Sequence, residues 1–490
     1  MTETRDYLER RWWALALLCM TQFMVVLDAS IVNIALPSIG REVGISQENL
    51  SWVVNGYVLT FGGFLLLGGR MADLLGRRRI FMTGLLIVAV ASLLAGFAPS
   101  EGALIAARAA QGLGAAIIAP SALSIVTTIF RDGAERNRAL GAWGAVAGSG
   151  GAAGVLLGGV LTDSLGWEWV LWVNVPVALA VFALTPGLIP ESRPELETRT
   201  FDLAGAVTVT AGLSLLVYAI VDAESAGWGS TQTIGLLAAA AALLAAFTAI
   251  ELRSVAPLVP FSIFRKRTLT GANAVGLMVG GSLFAMFFFI TLYMQQVLDY
   301  SPIKAGLSYL PLSIAIILSA GVGSQLVTRI GFKPVLAVGL ILVASGLFWF
   351  SGVSVDGGFA SDILGPSLLA AVGLGFTFVT TTIAAVSGIE DREQGLASGL
   401  INTSQQIGGA LGLAILATVA NTRTDDALAA AGGGPSAVPE ALVEGFQAAF
   451  LGAGLIAVAG LVLTLVLIRG SDSRAHVELA GRERRATAGA

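Results

Sequence analysis

The stretch Gly69-Arg70-Met71-Ala72-Asp73-Leu74-Leu75-Gly76-Arg77-Arg78-Arg79 lies between two long apolar runs. It has a counterpart in the same setting, Ser324-Gln325-Leu326-Val327-Thr328-Arg329-Ile330-Gly331-Phe332-Lys333-Pro334. Gly331 stands 255 residues after Gly76. A second pair, Arg138-Ala-Leu-Gly141 with Gly150-Gly151-Ala-Ala-Gly154, matches Leu396-Ala-Ser-Gly399 with Gly408-Gly409-Ala-Leu-Gly412, and Gly412 stands 258 residues after Gly154. Two independent motifs at nearly one offset predict a duplicated six-helix unit, the usual construction of a secondary transporter.

The rest of the chain agrees with a membrane setting. Of 490 residues, 55% are hydrophobic and 12% are charged, and the mean hydropathy is +0.82. Soluble domains carry roughly 25% charged residues. A bilayer core needs about 20 apolar residues per helix. Runs of that kind are read at 12–36, 50–69, 80–98, 102–129, 139–162, 169–189, 203–222, 232–250, 270–298, 304–327, 333–353, 362–388, 395–421 and 446–468. Backbone groups in lipid must be satisfied within the segment, so these runs are helices. The expected fold is an all-α integral membrane protein of fourteen transmembrane helices. It divides into a six-helix bundle at 1–190, a linker carrying helices 7 and 8 at 191–252, a second six-helix bundle at 253–470 and a cytoplasmic tail at 471–490.

Lys and Arg in the loops set the orientation. With a cytoplasmic N-terminus, 24 of the 28 fall inside, Arg41, Lys304 and Arg423 fall outside, and Arg108 lies within a helix. Both termini are therefore expected in the cytoplasm of a multi-pass protein of the cell's inner (plasma) membrane. The first apolar run, Trp12 to Leu36, is too long for a cleavable signal and contains Asp28.

The lone cysteine, Cys19, and lone histidine, His476, exclude an intramolecular disulfide and a Cys- or His-based metal centre. His476 reads as a solvated residue of the polar tail. No phosphate-binding G-x-x-x-x-G-K-[ST] loop is present. The expectation is a transporter with no catalytic residue, cofactor, metal or nucleic-acid partner, working as a monomer.

Asp28 is the sharpest single feature. An ionised acid near a helix centre costs roughly 2.5–3.5 kcal/mol to insert, so such residues face a cavity and act. Desolvation disfavours a carboxylate and a nearby cation favours it, and a group held between the two can take and release a proton. At about 1.5 Å per residue, Asp28 lies roughly 12 Å, and Arg108 of the fourth run roughly 9 Å, below the outer end. They are expected to pair and to couple protons, with Gln111 and Gly112 on the face of Arg108. Structural charge compensation is the competing reading. Asp73, beside Gly69, Gly76, Arg77 and Arg78, is expected to latch one conformation against a helix N-terminus of the opposite half. Gly144, Gly148, Gly151, Gly154, Gly158 and Gly159 of the fifth run form a close-packing motif, expected to slide or rock against the other half, with ordinary tight packing without motion as the competing reading. The polar residues Asn33, Asn55, Gln111, Asn273, Gln295, Asn402, Gln405 and Gln406 are candidates for a substrate cavity, against structural interhelical hydrogen bonds.

These residues carry a resemblance that covers essentially the whole chain. The sequence is similar to the major facilitator superfamily, specifically its fourteen-helix drug:proton antiporter family. Leu27-Asp28-Ala-Ser-Ile-Val-Asn33-Ile-Ala-Leu-Pro37 resembles the family's first-helix motif, and Gly69 to Arg79 the superfamily's loop motif. Arg108-Ala-Ala-Gln111-Gly112 resembles the fourth-helix motif and Gly148 to Gly159 the fifth-helix antiporter motif. Trp167-Glu168-Trp169 with Asn174-Val-Pro176, and Phe201-Asp202, resemble the starts of helices 6 and 7. Three positions depart: Val155 stands where proline is usual, Glu168 where arginine is common, and Thr328 where the second loop motif would carry an acid. The resemblance implies proton-driven export of hydrophobic small molecules, drugs or antibiotics by alternating access. The alternative is a symporter or facilitator for one metabolite.

Overall fold

The computed structural model describes residues 10–45, 52–130, 133–192, 202–254, 257–390, 393–432 and 434–488. The described residues are helical, with no strand among them. The helices are α1 (Arg11–Val43), α2 (Trp52–Leu75), α3 (Arg77–Gly96), α4 (Glu101–Ile129) and α5 (Ala134–Leu165). They continue with α6 (Asn174–Leu188, after a turn at Trp169–Trp172), α7 (Leu203–Ala226), α8 (Thr231–Glu251), α9 (Arg267–Leu292) and α10 (Leu310–Ile330, after a short helix Pro302–Ser308). The last five are α11 (Phe332–Phe350), α12 (Leu364–Val386), α13 (Gln394–Ala430), α14 (Val438–Leu467) and α15 (Gly470–Ala488).

Twelve helices among the described residues are long and apolar enough to cross a membrane. The runs read at 139–162 and 395–421 fall on α5 and α13, which are helical but outside those twelve. In α13 the reason is composition, since it carries Asn402, Thr403, Ser404, Gln405 and Gln406 in succession, while the described part of α5 supplies the apolar stretch Leu156–Leu165.

Helix starts follow local chemistry. Ser100, Asp202 and Ser230 accept from Ala103 N, Gly205 N and Thr233 N, satisfying first-turn donors of α4, α7 and α8. Gly76 and Gly331 stand at φ 109° and 87° between α2 and α3 and between α10 and α11. A side chain would be strained there, which fixes glycine at both equivalent turns.

The duplication read from sequence is repeated in the packing. Helices α2 and α4, α3 and α4, α1 and α5, α3 and α6, and α1 and α6 pack together. The same pairs recur eight helices later: α10 with α12, α11 with α12, α9 with α13, α11 with α14, and α9 with α14. The two groups meet along two seams, α2 against α13 and α5 against α10 and α12. Helix α7 lies on the first seam, touching both α2 and α13. Trp52 of α2 stacks on Tyr218 of α7 at 5.5 Å, and Trp228 donates to Thr418 Oγ1 of α13 at 2.9 Å.

Small residues bring these helices together. A Cβ on Gly280 would lie 2.1 Å from Gln405 O, and one on Gly408 2.0 Å from Leu277 O, so α9 and α13 touch backbone to backbone. On α5, Gly150, Gly154 and Gly158 pack on Val26, Ser30 and Ile31 of α1 in their own group. Gly141, Gly144 and Gly159 face Ser324, Val379 and Ile303 across the seam, while Gly151 has nothing within 4 Å. The surroundings of Gly148 and Val155 lie outside the described residues.

Gly280→Ala is expected to lower the stability of the purified protein by about 1–3 kcal/mol, because the new methyl meets backbone that cannot move aside. Gly151→Ala should be neutral or stabilising, since alanine is favoured in a helix by about 1 kcal/mol. Thermal unfolding in detergent distinguishes the two.

Candidate functional site

Asp28 of α1 sits in the α1–α6 group with 3% of its surface exposed, and four other helices supply the network around it. From α4, Arg108 Nη1 donates to Asp28 Oδ2 at 2.8 Å and to Gln111 Oε1 at 2.9 Å. From α6, Asn174 Nδ2 donates to Asp28 Oδ1 at 2.6 Å, and Gln111 Nε2 reaches the same oxygen at 3.4 Å. Gln111 also donates to Ser92 Oγ of α3 at 2.7 Å. From α2, Val53 O accepts from Arg108 Nε at 3.1 Å, and the Tyr57 ring lies 4.6 Å beneath the guanidinium carbon. Tyr57 is itself fixed by donating to Val25 O at 3.2 Å. Arg108 and Gln111 are fully buried. The guanidinium thus spends its donors on a carboxylate, an amide and a carbonyl, which is how a charge is kept in a dry interior. Asn174 Oδ1 is buried without a hydrogen-bond partner, an acceptor beside the carboxylate.

Sequence reasoning paired Asp28, Arg108 and Gln111 by depth and helix face. Asn174, Tyr57 and Ser92 it did not assign to this network. Asn174 carried a signal of its own kind: it is, like Asp28, a polar side chain placed inside an apolar run.

At the arginine-rich end, Asp73 is 1% exposed and bonds across the α2–α13 seam. Its Oδ1 accepts from Gly395 N at 3.2 Å and its Oδ2 from Leu396 N at 3.1 Å. These amides belong to the first turn of α13, where N–H groups have no intrahelical partner and the helix dipole favours an anion. Arg77 donates to Asp73 Oδ1 through Nη2 at 3.2 Å and Nε at 3.4 Å, and its Nη1 bonds Thr128 Oγ1. Arg78 turns away, donating through Nη1 to Ile189 O at 3.1 Å and through its backbone to Glu191 Oε1 at 3.2 Å. Gly69 faces Gly395 O, and a Cβ there would come within 2.5 Å. Gly76 starts α3 at the turn already described.

The polar cavity candidates are scattered. Asn33 is exposed and donates to Ala29 O of its own helix at 3.4 Å. Asn55 lines a narrow recess between α2 and α7 with Trp52, Leu59, Val217, Tyr218 and Val221. Asn273 donates to Leu269 O at 2.9 Å and accepts from Ser404 Oγ at 3.0 Å, and Asn402 donates to Ser398 O at 2.8 Å. Gln295 lies in a π-helical turn at Tyr293–Val297, and Gln405 and Gln406 are half-buried on α13. Gln111 alone among them touches Asp28.

This arrangement of long apolar helices, internal repetition and a buried ion pair defines a multi-pass membrane protein. The family profile described as the Major Facilitator Superfamily matches residues 18–413, so the chain belongs to that superfamily and is a transporter rather than an enzyme. It is 39% identical over 461 residues to the puromycin resistance protein pur8 of Streptomyces alboniger, covering 94% of this chain and 90% of that one. It is 40% identical over 458 residues to the cephamycin export protein CmcT of Amycolatopsis lactamdurans, covering 93% and 92%. Among solved structures it is similar to the human organic anion transporter MFSD10 (TETRAN), with a TM-score of 0.60 and 17% identity over 94% of this chain and 99% of that one; at that identity the likeness shows the fold alone.

Arg108→Ala is expected to cost about 3–5 kcal/mol, because it strands a buried carboxylate. Adding Asp28→Asn should recover part of that loss. Chemical unfolding of the single and double variants measures the coupling, and a double variant whose losses simply add would contradict a direct pair.

Proposed function

We propose that this chain is a proton-coupled exporter of hydrophobic small molecules, drugs or antibiotics, working by alternating access in the cell's inner (plasma) membrane. The observation that carries the reading is the Asp28–Arg108 pair at 2.8 Å, sealed within the α1–α6 group. A carboxylate kept this way holds its charge only while its partners stay in register. If α4 or α6 shifts, or substrate competes for Arg108, the carboxyl becomes the cheaper place to store a proton. The free acceptor of Asn174 then serves, since rotation of its amide would present Oδ1 to the protonated acid. Inward proton movement through this group drives substrate outward.

The direction of transport is supported by the relatives named for puromycin resistance and cephamycin export. The full topology in this reading is fourteen spans, with α5 and α13 added to the twelve apolar helices. Residues 1–190 and 253–470 are two bundles, the inserted α7 and α8 belong to a linker at 191–252, and both termini are cytoplasmic. Asp73, with Gly69, Gly76, Arg77 and Arg78, latches the cytoplasmic end when the protein opens outward. Gly144, Gly148, Gly151, Gly154, Gly158 and Gly159 let α5 roll between α1 and the opposite bundle. Substrate passes between the bundles near Asn33, Asn55, Asn273, Gln295, Asn402, Gln405 and Gln406. One chain suffices for the cycle.

Efflux of several unrelated dyes from proteoliposomes under an imposed pH gradient tests this. The wild type should concentrate substrate against its gradient, and Asp28→Asn should lose that uphill movement. Wild-type efflux indifferent to the pH gradient would refute proton coupling.

A further inference from the structure

At the position that matches Asp73 the second seam carries a hydroxyl instead of an acid, yet it is tied at the same end. Thr328 of α10 occupies the repeat position of Asp73, and Asn137 of α5 that of Gly395. Asn137 Nδ2 donates to Thr328 Oγ1 at 2.9 Å, and Ser324 Oγ donates to Asn137 O at 2.5 Å. A third member comes from outside both seam helices: His476 Nε2 lies 3.1 Å from Asn137 Oδ1. Asn137 is fully buried and His476 only 5% exposed, so the histidine expected in a solvated tail is an interior group.

The helix that carries it is anchored in the α9–α14 group. Ser473 Oγ of α15 accepts from Lys333 N at 3.1 Å, and Asp472 Oδ2 accepts from Thr268 Oγ1 at 2.5 Å. Lys333 Nζ caps α14 by donating to Leu465 O and Ile468 O at 2.8 and 2.7 Å. The His476 ring meets Phe332 edge-on at 5.8 Å. His476 therefore reaches from a helix carried by one group to a residue of the other.

The hydrogen positions follow from bonding logic. The Thr328 hydroxyl donates to Ser324 O at 2.9 Å, so its oxygen must accept from Asn137. Asn137 therefore presents Nδ2 to Thr328 and Oδ1 to His476, and Nε2 must carry the proton.

We propose that His476 is a positioning residue of the transport cycle: it holds Asn137 across the α5–α10 seam and forms with Thr328 a second latch opposite Asp73, one without a carboxylate. The Asp73 latch sets an anion on two helix amides, and such charge-assisted bonds are about twice as strong as neutral ones. The Thr328 seam gains its third bond from α15. Loss of that bond shifts the protein toward the state open at this end, and because the two groups move as bodies, the Asp73 seam loosens with it. The inference rests on the alternating-access reading, but its readout depends on neither substrate nor proton coupling.

Hydrogen exchange of the full chain in lipid nanodiscs, followed at 134–141 and 393–400, tests it. His476→Ala should speed exchange in both segments by about threefold to tenfold, the range given by losing one net hydrogen bond. His476→Gln, whose amide can donate to the same oxygen, should stay near the wild type. His476→Ala added to Asn137→Ala should speed exchange no further than Asn137→Ala alone. Acceleration confined to α15, or a glutamine variant as fast as the alanine one, would overturn the proposal. The glutamine and Asn137 variants keep the test decisive if His476→Ala fails to fold.

Discussion

A charge pair in a dry helical interior must be enclosed by its own donors and acceptors, and the α1–α6 group is built around meeting that demand. Separating one partner from the other is costly, whereas the intact pair is only roughly break-even against apolar packing. The pair is thus poor evidence for stability as a purpose. Every helix of the group except α5 contributes an atom to it: Asp28 from α1, Val53 and Tyr57 from α2, Ser92 from α3, Arg108 and Gln111 from α4, Asn174 from α6. The carboxyl itself is bonded from α4 and α6, and α2 and α3 hold the Arg108 and Gln111 side chains that bond it.

Helix α5 completes the connection in another way. Its Gly150 and Gly154 press on Val26, Leu27 and Ser30, the immediate neighbours of Asp28 in α1, and its Gly141 and Gly144 press on Ser324 and Val379 of the other group. One helix therefore touches both the backbone around the ion pair and the seam. Contacts so close leave little slack, because packed interiors transmit displacement rather than absorb it. The seams are also unequal. The α2–α13 seam carries Asp73 on the first amides of α13 and is covered by α7, while the α5–α10 seam carries the Asn137–Thr328 and His476–Asn137 bonds and is touched by α15. Helices outside the two repeated groups thus reinforce one seam each.

Much of this was legible in the chain. The matched motifs around Gly76 and Gly331 gave the repeat, because the same steric requirement for glycine recurs at both turns. Asp28 and Arg108 stood out because charge inside an apolar run is costly, and helical rise alone brought them to similar depth. Asp73 was readable because the arginines beside it explain an inside anchor but not an acid. Other features needed three dimensions. Asn174 joins Asp28 from 146 residues away, and no periodicity links them. The fifth-helix glycines, one motif in sequence, divide between α1 and the opposite group because they lie on more than one side of the helix. His476 looked solvated because its helix is polar in composition, and only the docking of α15 buries it. α13 escapes an apolarity count because the run Asn402 to Gln406 is polar, and part of that run bonds α9 through Ser404 and Asn273.

The central claim is that the Asp28 carboxyl changes protonation as the protein changes state. Infrared difference spectroscopy of the reconstituted transporter, with and without substrate, reads that directly. The account predicts a carboxylic-acid band that appears or disappears on substrate binding, shifts with isotopic labelling of aspartate and is absent from Asp28→Asn. A spectrum with no carboxyl change that depends on Asp28 would contradict it.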